Sequence, residues 1–393
     1  MPELLQSGVI IPFISDPILE FLFILVIAAG ISSLLLIFIF RRIQRYGSFS
    51  YTNARISAMK GELFRKEKLD QLLEVRDFQN LVNQLESSHY SKYIESLEDF
   101  EAKSLEQSIY NHLEDSYQKI TKLAPEEIKN VFQEMERILE VRNLEIILAG
   151  KLVNLSREEI EGKLTEKRYL SEETYEKLIE AESIGEAITS LEGTRYWRTL
   201  DEAVTKYGEE GEMLPVWFSL EGEYWEDALK SAKESRAEYS EIIQRGIRMK
   251  IDVLNMLFIL RCKAEGVDAE RMKDFIIPVH YELKSQNINR ARESEDIKGA
   301  IMSFASTPYG GALSDALAES QAKNSIFPLE RALEEKLLER LRKISTQHYS
   351  SAGPIMAFFH EKEVEAKNLI RIINGKAADI DSEKIGSLLI SPR

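Results

Sequence analysis

Three stretches of this chain share one helical register, and that repetition constrains the fold more than any other feature. Val141–Lys151 reads V-R-N-L-E-I-I-L-A-G-K, Val253–Lys263 reads V-L-N-M-L-F-I-L-R-C-K, and Ala366–Lys376 reads A-K-N-L-I-R-I-I-N-G-K. In each, an asparagine (Asn143, Asn255, Asn368) stands eight residues before a lysine (Lys151, Lys263, Lys376), with Leu148, Leu260 or Ile373 between them at one fixed position. The register continues beyond the lysine through an apolar residue (Leu155, Val267, Ile380), a helix-capping residue (Ser156, Asp268, Asp381) and a second apolar residue (Ile160, Met272, Ile385). Each copy thus reads as a helix, a short turn, a cap and the start of another helix. The copies lie 112 and 113 residues apart, the spacing of one architectural unit used three times.

A second landmark falls in the same order. Leu85–Tyr90 (L-E-S-S-H-Y), Leu191–Tyr196 (L-E-G-T-R-Y) and Phe304–Tyr309 (F-A-S-T-P-Y) place Tyr90, Tyr196 and Tyr309 at 53, 59 and 59 residues before the asparagines. Between the landmarks, apolar residues recur at helical spacing, as in Phe132, Met135, Ile138 and Leu139. Ala124-Pro125-Glu126-Glu127 reads as a helix start and Ser156 with Glu159 as a capping box. Leu214-Pro215 reads as a helix break, and Tyr46–Tyr51 (Y-G-S-F-S-Y) as a short hinge. No stretch alternates with period two, so the expected fold is all-α: a transmembrane helix followed by three tandem helical repeats over 43–168, 169–276 and 277–393.

The transmembrane expectation comes from Phe21–Phe40, twenty residues without a charge, fifteen of them Leu, Ile, Val or Phe. At roughly −0.4 kcal/mol each, these fifteen contribute about −6 kcal/mol to bilayer insertion. Twenty helical residues span about 30 Å, the thickness of the hydrocarbon layer. A signal peptide would open with basic residues, and a core helix would carry a polar stripe. Here Glu3, Asp16 and Glu20 precede the run, and only Ser32 and Ser33 interrupt it. Arg41, Arg42 and Arg45 follow directly. The positive-inside bias then gives residues 1–16 as an extracytoplasmic tail, 17–42 as the span, membrane lipid as the partner of residues 21–40, and a cytoplasmic remainder.

Composition removes several functions. A net charge of −15 disfavours nucleic acid as a partner. One cysteine, Cys262, excludes an internal disulfide and reads as a small buried apolar group. The five histidines show no metal-ligand spacing, so no metal site is expected. Gly310-Gly311 lacks the Lys-Ser/Thr of a phosphate loop, so neither nucleotide nor other cofactor is expected. Glu361, Glu363 and Glu365 read as the solvated face of a charged helix, and no residue is assigned a catalytic role. The repeated asparagines are expected to hydrogen-bond across helix pairs, and the repeated lysines to cap helix C-termini.

These residues carry a family resemblance. Tyr51-Thr52-Asn53-Ala54-Arg55, the turns at Leu191–Tyr196 and Ser306–Tyr309, and the closing helices Glu140–Leu144 and Glu363–Leu369 resemble the C subunits of archaeal and bacterial A/V-type ATP synthases, counterparts of the vacuolar ATPase d subunit. The resemblance spans roughly residues 51–393. It implies a funnel of three pseudo-threefold helical domains that hydrolyses nothing itself. Such a funnel couples the membrane rotor ring of proteolipids to the central stalk of a proton- or sodium-translocating rotary ATP synthase. The N-terminal span departs from that pattern and supports an alternative, a membrane-anchored helical scaffold or assembly factor with the same fold. Deleting residues 1–45 removes three acids and three arginines and leaves the net charge at −15. The truncated protein is expected to remain soluble and helical by circular dichroism; aggregation would make the N-terminal helix part of the fold rather than an anchor.

Overall fold

The computed structural model describes residues 17–97, 99–207 and 213–391, and all regular structure among them is helical. The chain divides into two compact units, 1–48 and 49–393. Residues expected to form the extracytoplasmic tail lie outside the described ones. In the first unit, helix α1 (Pro17–Glu62) begins and carries residues 21–40 with every apolar side chain exposed. It is long and apolar enough to cross a bilayer by length and composition. Arg41 and Arg42 are exposed after this run, and Arg45 lies on the same helix.

The hinge expected at Tyr46–Tyr51 is helical instead, because α1 continues through it. The physical reason is the spacing of Phe49, Thr52, Asn53 and Ile56, which puts all four on one helical face, and all four are buried in the second unit. Burial of that stripe outweighs the roughly 1 kcal/mol that a glycine such as Gly47 costs within a helix.

The second unit continues with α2 (Lys66–Glu74), α3 (Phe78–Glu86), α4 (Ser91–Ile94), α5 (Ala102–Leu123), α6 (Lys129–Glu136), α7 (Ile138–Leu152) and α8 (Arg157–Glu161). A comparable succession follows: α9 (Glu172–Glu180), α10 (Ile184–Thr189), α11 (Trp197–Tyr207), α12 (Leu214–Glu234), α13 (Ala237–Glu265) and α14 (Ala269–Lys273). The last comprises α15 (Ser285–Glu293), α16 (Ile297–Ser303), α17 (Gly310–Lys323), α18 (Phe327–Gln347), α19 (Gly353–Ala377) and α20 (Ser382–Leu388). Pro215 does not break a helix: it occupies the first turn of α12, where its missing N–H has no intrahelical partner to lose. Pro328 and Pro354 open α18 and α19 in the same way.

The asparagine-bearing helices α7, α13 and α19 end alike. Asn154, Gly266 and Asp379, each three past the repeated lysine, adopt positive φ of 55°, 74° and 52°. Leu155, Val267 and Ile380 then donate their N–H to the carbonyls of Gly150, Cys262 and Gly375, closing the helix C-terminus. Ser156, Asp268 and Asp381 cap the short helices that follow, Ser156 in a full capping box with Glu159. Only a small residue fits before the lysine. A Cβ on Gly150 would lie 2.8 Å from Ile160, and one on Gly375 would lie 2.6 Å from Ile385. Where the second copy has Cys262, the position in register with those isoleucines is the more flexible Met272. Gly375→Val is expected to destabilise the protein by about 3 kcal/mol through overpacking, read as a lower urea midpoint at unchanged slope.

Candidate functional site

Each repeated asparagine is buried, at 0% exposure for Asn143 and 1% for Asn255 and Asn368. A buried primary amide must find backbone or side-chain partners for both its ends. All three solve this in one way, by gripping a single backbone residue 22 positions further on. The Asn143 carbonyl accepts Thr165 N–H at 2.9 Å while its amide donates to the Thr165 carbonyl at 3.3 Å. Asn255 pairs with Ile277 at 2.9 and 3.0 Å, and Asn368 with Ile390 at 2.9 and 2.9 Å. The grip holds backbone that lies outside every helix.

The lysines do cap helix C-termini, but not those of their own helices. Lys151 donates to the Ile179 carbonyl at the end of α9. Lys263 donates to Arg292 and Ser294 carbonyls at the end of α15, at 2.5 and 2.6 Å. Lys376 reaches the Leu73 and Val75 carbonyls at the end of α2, both at 2.7 Å. A cation placed against unpaired terminal carbonyls is favoured by the helix dipole. The order is cyclic: α7 holds α9, α13 holds α15, and α19 holds α2 at the start of the unit.

A third repeated group completes each junction, one to which sequence patterning assigns no role. Three residues before each asparagine stands an acid: Glu140, Asp252 and Glu365, at 2%, 0% and 3% exposure. The expectation that Glu361, Glu363 and Glu365 form a solvated face is therefore corrected. Helix α19 is enclosed around most of its circumference by α18, α5, α13 and α3, so charges that look peripheral on a helical wheel are inside. Each has partners: Glu361 accepts from Arg342 at 2.7 Å and pairs with Lys60 at 2.7 Å, Glu363 pairs with Lys367 at 2.5 Å, and Glu365 pairs with Lys362.

The acids also meet the repeated tyrosines. Tyr196 hydroxyl donates to Glu140 at 2.5 Å, and Tyr90 hydroxyl donates to Glu365 at 2.9 Å. Tyr309 is equally buried, but Asp252 is one methylene shorter and instead accepts three backbone N–H groups, from Tyr281, Glu282 and Leu283, at 3.3, 2.7 and 3.1 Å. Tyr309 makes a long contact of 3.5 Å to the Met249 carbonyl, and the Arg340 guanidinium lies 5.2 Å from its ring centre. Glu365 likewise accepts Phe64 N–H at 2.7 Å, just before α2. Burial raises the Glu140 carboxyl above its usual range and pushes Asp252 up to about 6, against the opposing pull of its three amides.

A second cluster of buried charge lies where α13, α18 and α19 meet. Lys250 donates to Glu334 at 2.9 Å, and His360 lies between Glu334 at 3.2 Å and Glu363 at 3.3 Å. Burial opposes charge on His360, but the two carboxylates outweigh it and raise its pKa. No group of three or more His, Cys, Asp or Glu side chains is placed to hold a metal ion among the described residues. The repeated residues thus form three interhelical junctions. Asn255→Leu keeps the volume but strips the Ile277 N–H of its partner and leaves the Ile277 carbonyl with the Val279 N–H alone. It should cost about 2 kcal/mol of stability, roughly the penalty for stranding one buried N–H, measured by chemical denaturation.

Comparison with known proteins places this arrangement. The ATP synthase (C/AC39) subunit family matches residues 52–388. The chain is similar to the C subunit of the A-type ATP synthase of Methanocaldococcus jannaschii, 29% identical over 345 residues covering 87% of this chain and 86% of the relative. It is also similar to the C subunit of the A-type ATP synthase of Methanothermobacter thermautotrophicus, 29% identical over 349 residues covering 88% and 89%. The corresponding Methanosphaera stadtmanae protein is 27% identical over 387 residues, covering 98% and 99%.

Proposed function

Since the chain belongs to the ATP synthase (C/AC39) subunit family, we propose that it is a non-catalytic subunit of a membrane-bound, A-type rotary ATP synthase. Its partners are then other subunits of that complex. The finer reading is a socket in the central rotor: three helical repeats form a funnel that sits on the proteolipid ring and receives the central stalk. The observation that carries this reading is the cyclic order of the junctions, in which the last asparagine helix returns to the first short helix. Three like units joined head to tail and back to the start are what a torque-bearing collar requires, because load on any one unit passes to both neighbours. The interior chemistry agrees, since the acid at each junction accepts a tyrosine hydroxyl or backbone N–H groups.

The apolar run 21–40 crosses the bilayer in this reading, with Arg41, Arg42 and Arg45 on the cytoplasmic side. A part that turns with the ring and also spans the membrane has one position that avoids collision with the stator, the ring's central opening. A helix apolar on every face suits a site walled by lipid or by the ring's inner helices. Two measurements test the proposal. The protein should co-purify with ring and stalk proteins, and photo-crosslinkers placed within 21–40 should give products with the inner helices of the ring. Co-purification without ring products, or products with the stator alone, would reject the axial placement; failure to co-purify at all would reject the rotor assignment.

A further inference from the structure

The three junctions are not equivalent in connectivity. From α7 to α9 and from α13 to α15 the polypeptide runs on through the junction, so a broken contact there stays tethered. The junction of α19 with α2 joins opposite ends of the 49–393 unit and is held by non-covalent contacts alone: Lys376 with the Leu73 and Val75 carbonyls, Ser382 with the Leu73 carbonyl, and Glu365 with Phe64 N–H and Tyr90. A cleft of about 430 Å³, lined by Phe64, Arg65, Lys66, Glu361, Glu365 and Asn368 among others, runs along this seam.

The seam also contains side chains that the tethered junctions lack. His89 and His112 are packed around Tyr90, with ring centres 4.5 and 4.3 Å from it and 5.1 Å from each other. Phe64 closes over His89 at 5.4 Å. His112 is 7% exposed, and its Nδ1 has no hydrogen-bond partner. Lys362 donates to Tyr90 hydroxyl at 3.1 Å and lies 4.8 Å from the Tyr90 ring centre. Lys68 on α2 and Lys119 on α5 add positive charge, Glu62 on α1 faces Lys362, and Asp115 on α5 is taken by Tyr93 hydroxyl. The carboxylate nearest to either imidazole is Glu365, 3.7 Å from His89 Nε2 and already shared by Lys362, Tyr90 and Phe64 N–H. A proton on either histidine would be a buried cation beside a buried lysine.

We propose that the α19–α2 seam is a proton-sensitive opening: protonation of His89 and His112 releases the α2–α4 segment from α19 and α5, while the two tethered junctions stay closed. The release frees both imidazoles and Lys362 to solvent, which is the differential interaction that a shift in population needs. The sign follows from the directions of the shifts. Burial and Lys362 hold His89 down to about 4 and His112 lower still, against an unperturbed 6.5. Their contribution to closure is complete above pH 6.5 and is lost as the pH falls toward 4. At the tethered junctions the sign is opposite. Burial raises Glu140 and Asp252, so their junctions are favoured at lower pH and lose stability as the pH rises through the raised values. Acid therefore loosens one junction of the three.

Hydrogen exchange of the full-length protein in detergent micelles, compared at pH 7.5 and 5.0 after correction for intrinsic rates, tests this. Amides in 64–90 should lose protection by about thirty-fold from His89 alone, the ratio set by a pKa of about 4 closed and 6.5 open. Amides in 170–196 and 283–309 should not follow. A His89→Gln, His112→Phe double variant should abolish the acid response of 64–90 while keeping protection at pH 7.5. If the double variant is already open at pH 7.5, each single variant should reduce the response. Equal loss at all three junctions, or an acid response unchanged in the variants, overturns the proposal.

Discussion

The arrangement depends on one interaction used three times: a buried asparagine amide that bonds both the N–H and the carbonyl of one non-helical residue 22 positions away. A helical protein has no sheet to absorb the backbone of its connections, so each connection that passes through the interior needs side-chain partners. Asparagine is suited to this because it carries donor and acceptor at the separation found in a peptide group. Once Thr165, Ile277 and Ile390 are fixed in this way, the segments beside them are positioned against the asparagine helix. The acid three residues earlier and the lysine eight residues later then meet defined targets. All three side chains project from the same helix, so their mutual geometry follows from its pitch.

The targets belong to a neighbouring group of helices. This turns three local devices into a closed circuit. Glu140 receives Tyr196, Glu365 receives Tyr90, and the lysines hold helix ends one group further on. Buried hydrogen bonds to a charged group contribute little net stability, because desolvation of the charge offsets their attraction. Their effect is on specificity: a helix packed one turn out of place would strand a carboxylate and several backbone groups in the interior. The circuit suits a subunit whose proposed task is to transmit load rather than to bind a small molecule.

Much of this is legible in the sequence. The asparagine, lysine and tyrosine positions emerge from register alone, and the caps at Ser156, Asp268 and Asp381 emerge from local chemistry. Amphipathic patterning misses Glu365 because it assumes a helix with one wet side, and α19 is enclosed by several others. The regular spacing of Glu140, Asp252 and Glu365 from the asparagines is the available signal. At Tyr46–Tyr51, Gly and Ser suggest a turn, whereas the stripe of Phe49, Thr52, Asn53 and Ile56 gives the backbone a buried helical face to keep.

The sequence by itself determined the helical character, the apolar N-terminal run and the threefold register, since each is set by periodicity and composition within a few turns. The tertiary structure decided which partner each repeated residue holds. Asn143 reaches a residue beyond a turn and a short helix, and Lys376 reaches across some three hundred positions to Leu73. Such pairings depend on how helices stack in space, and side-chain order along one helix carries no information about which neighbour will lie opposite. The difference between the tethered junctions and the seam is decided there as well, because His89 and His112 meet Lys362 only when α3, α5 and α19 converge.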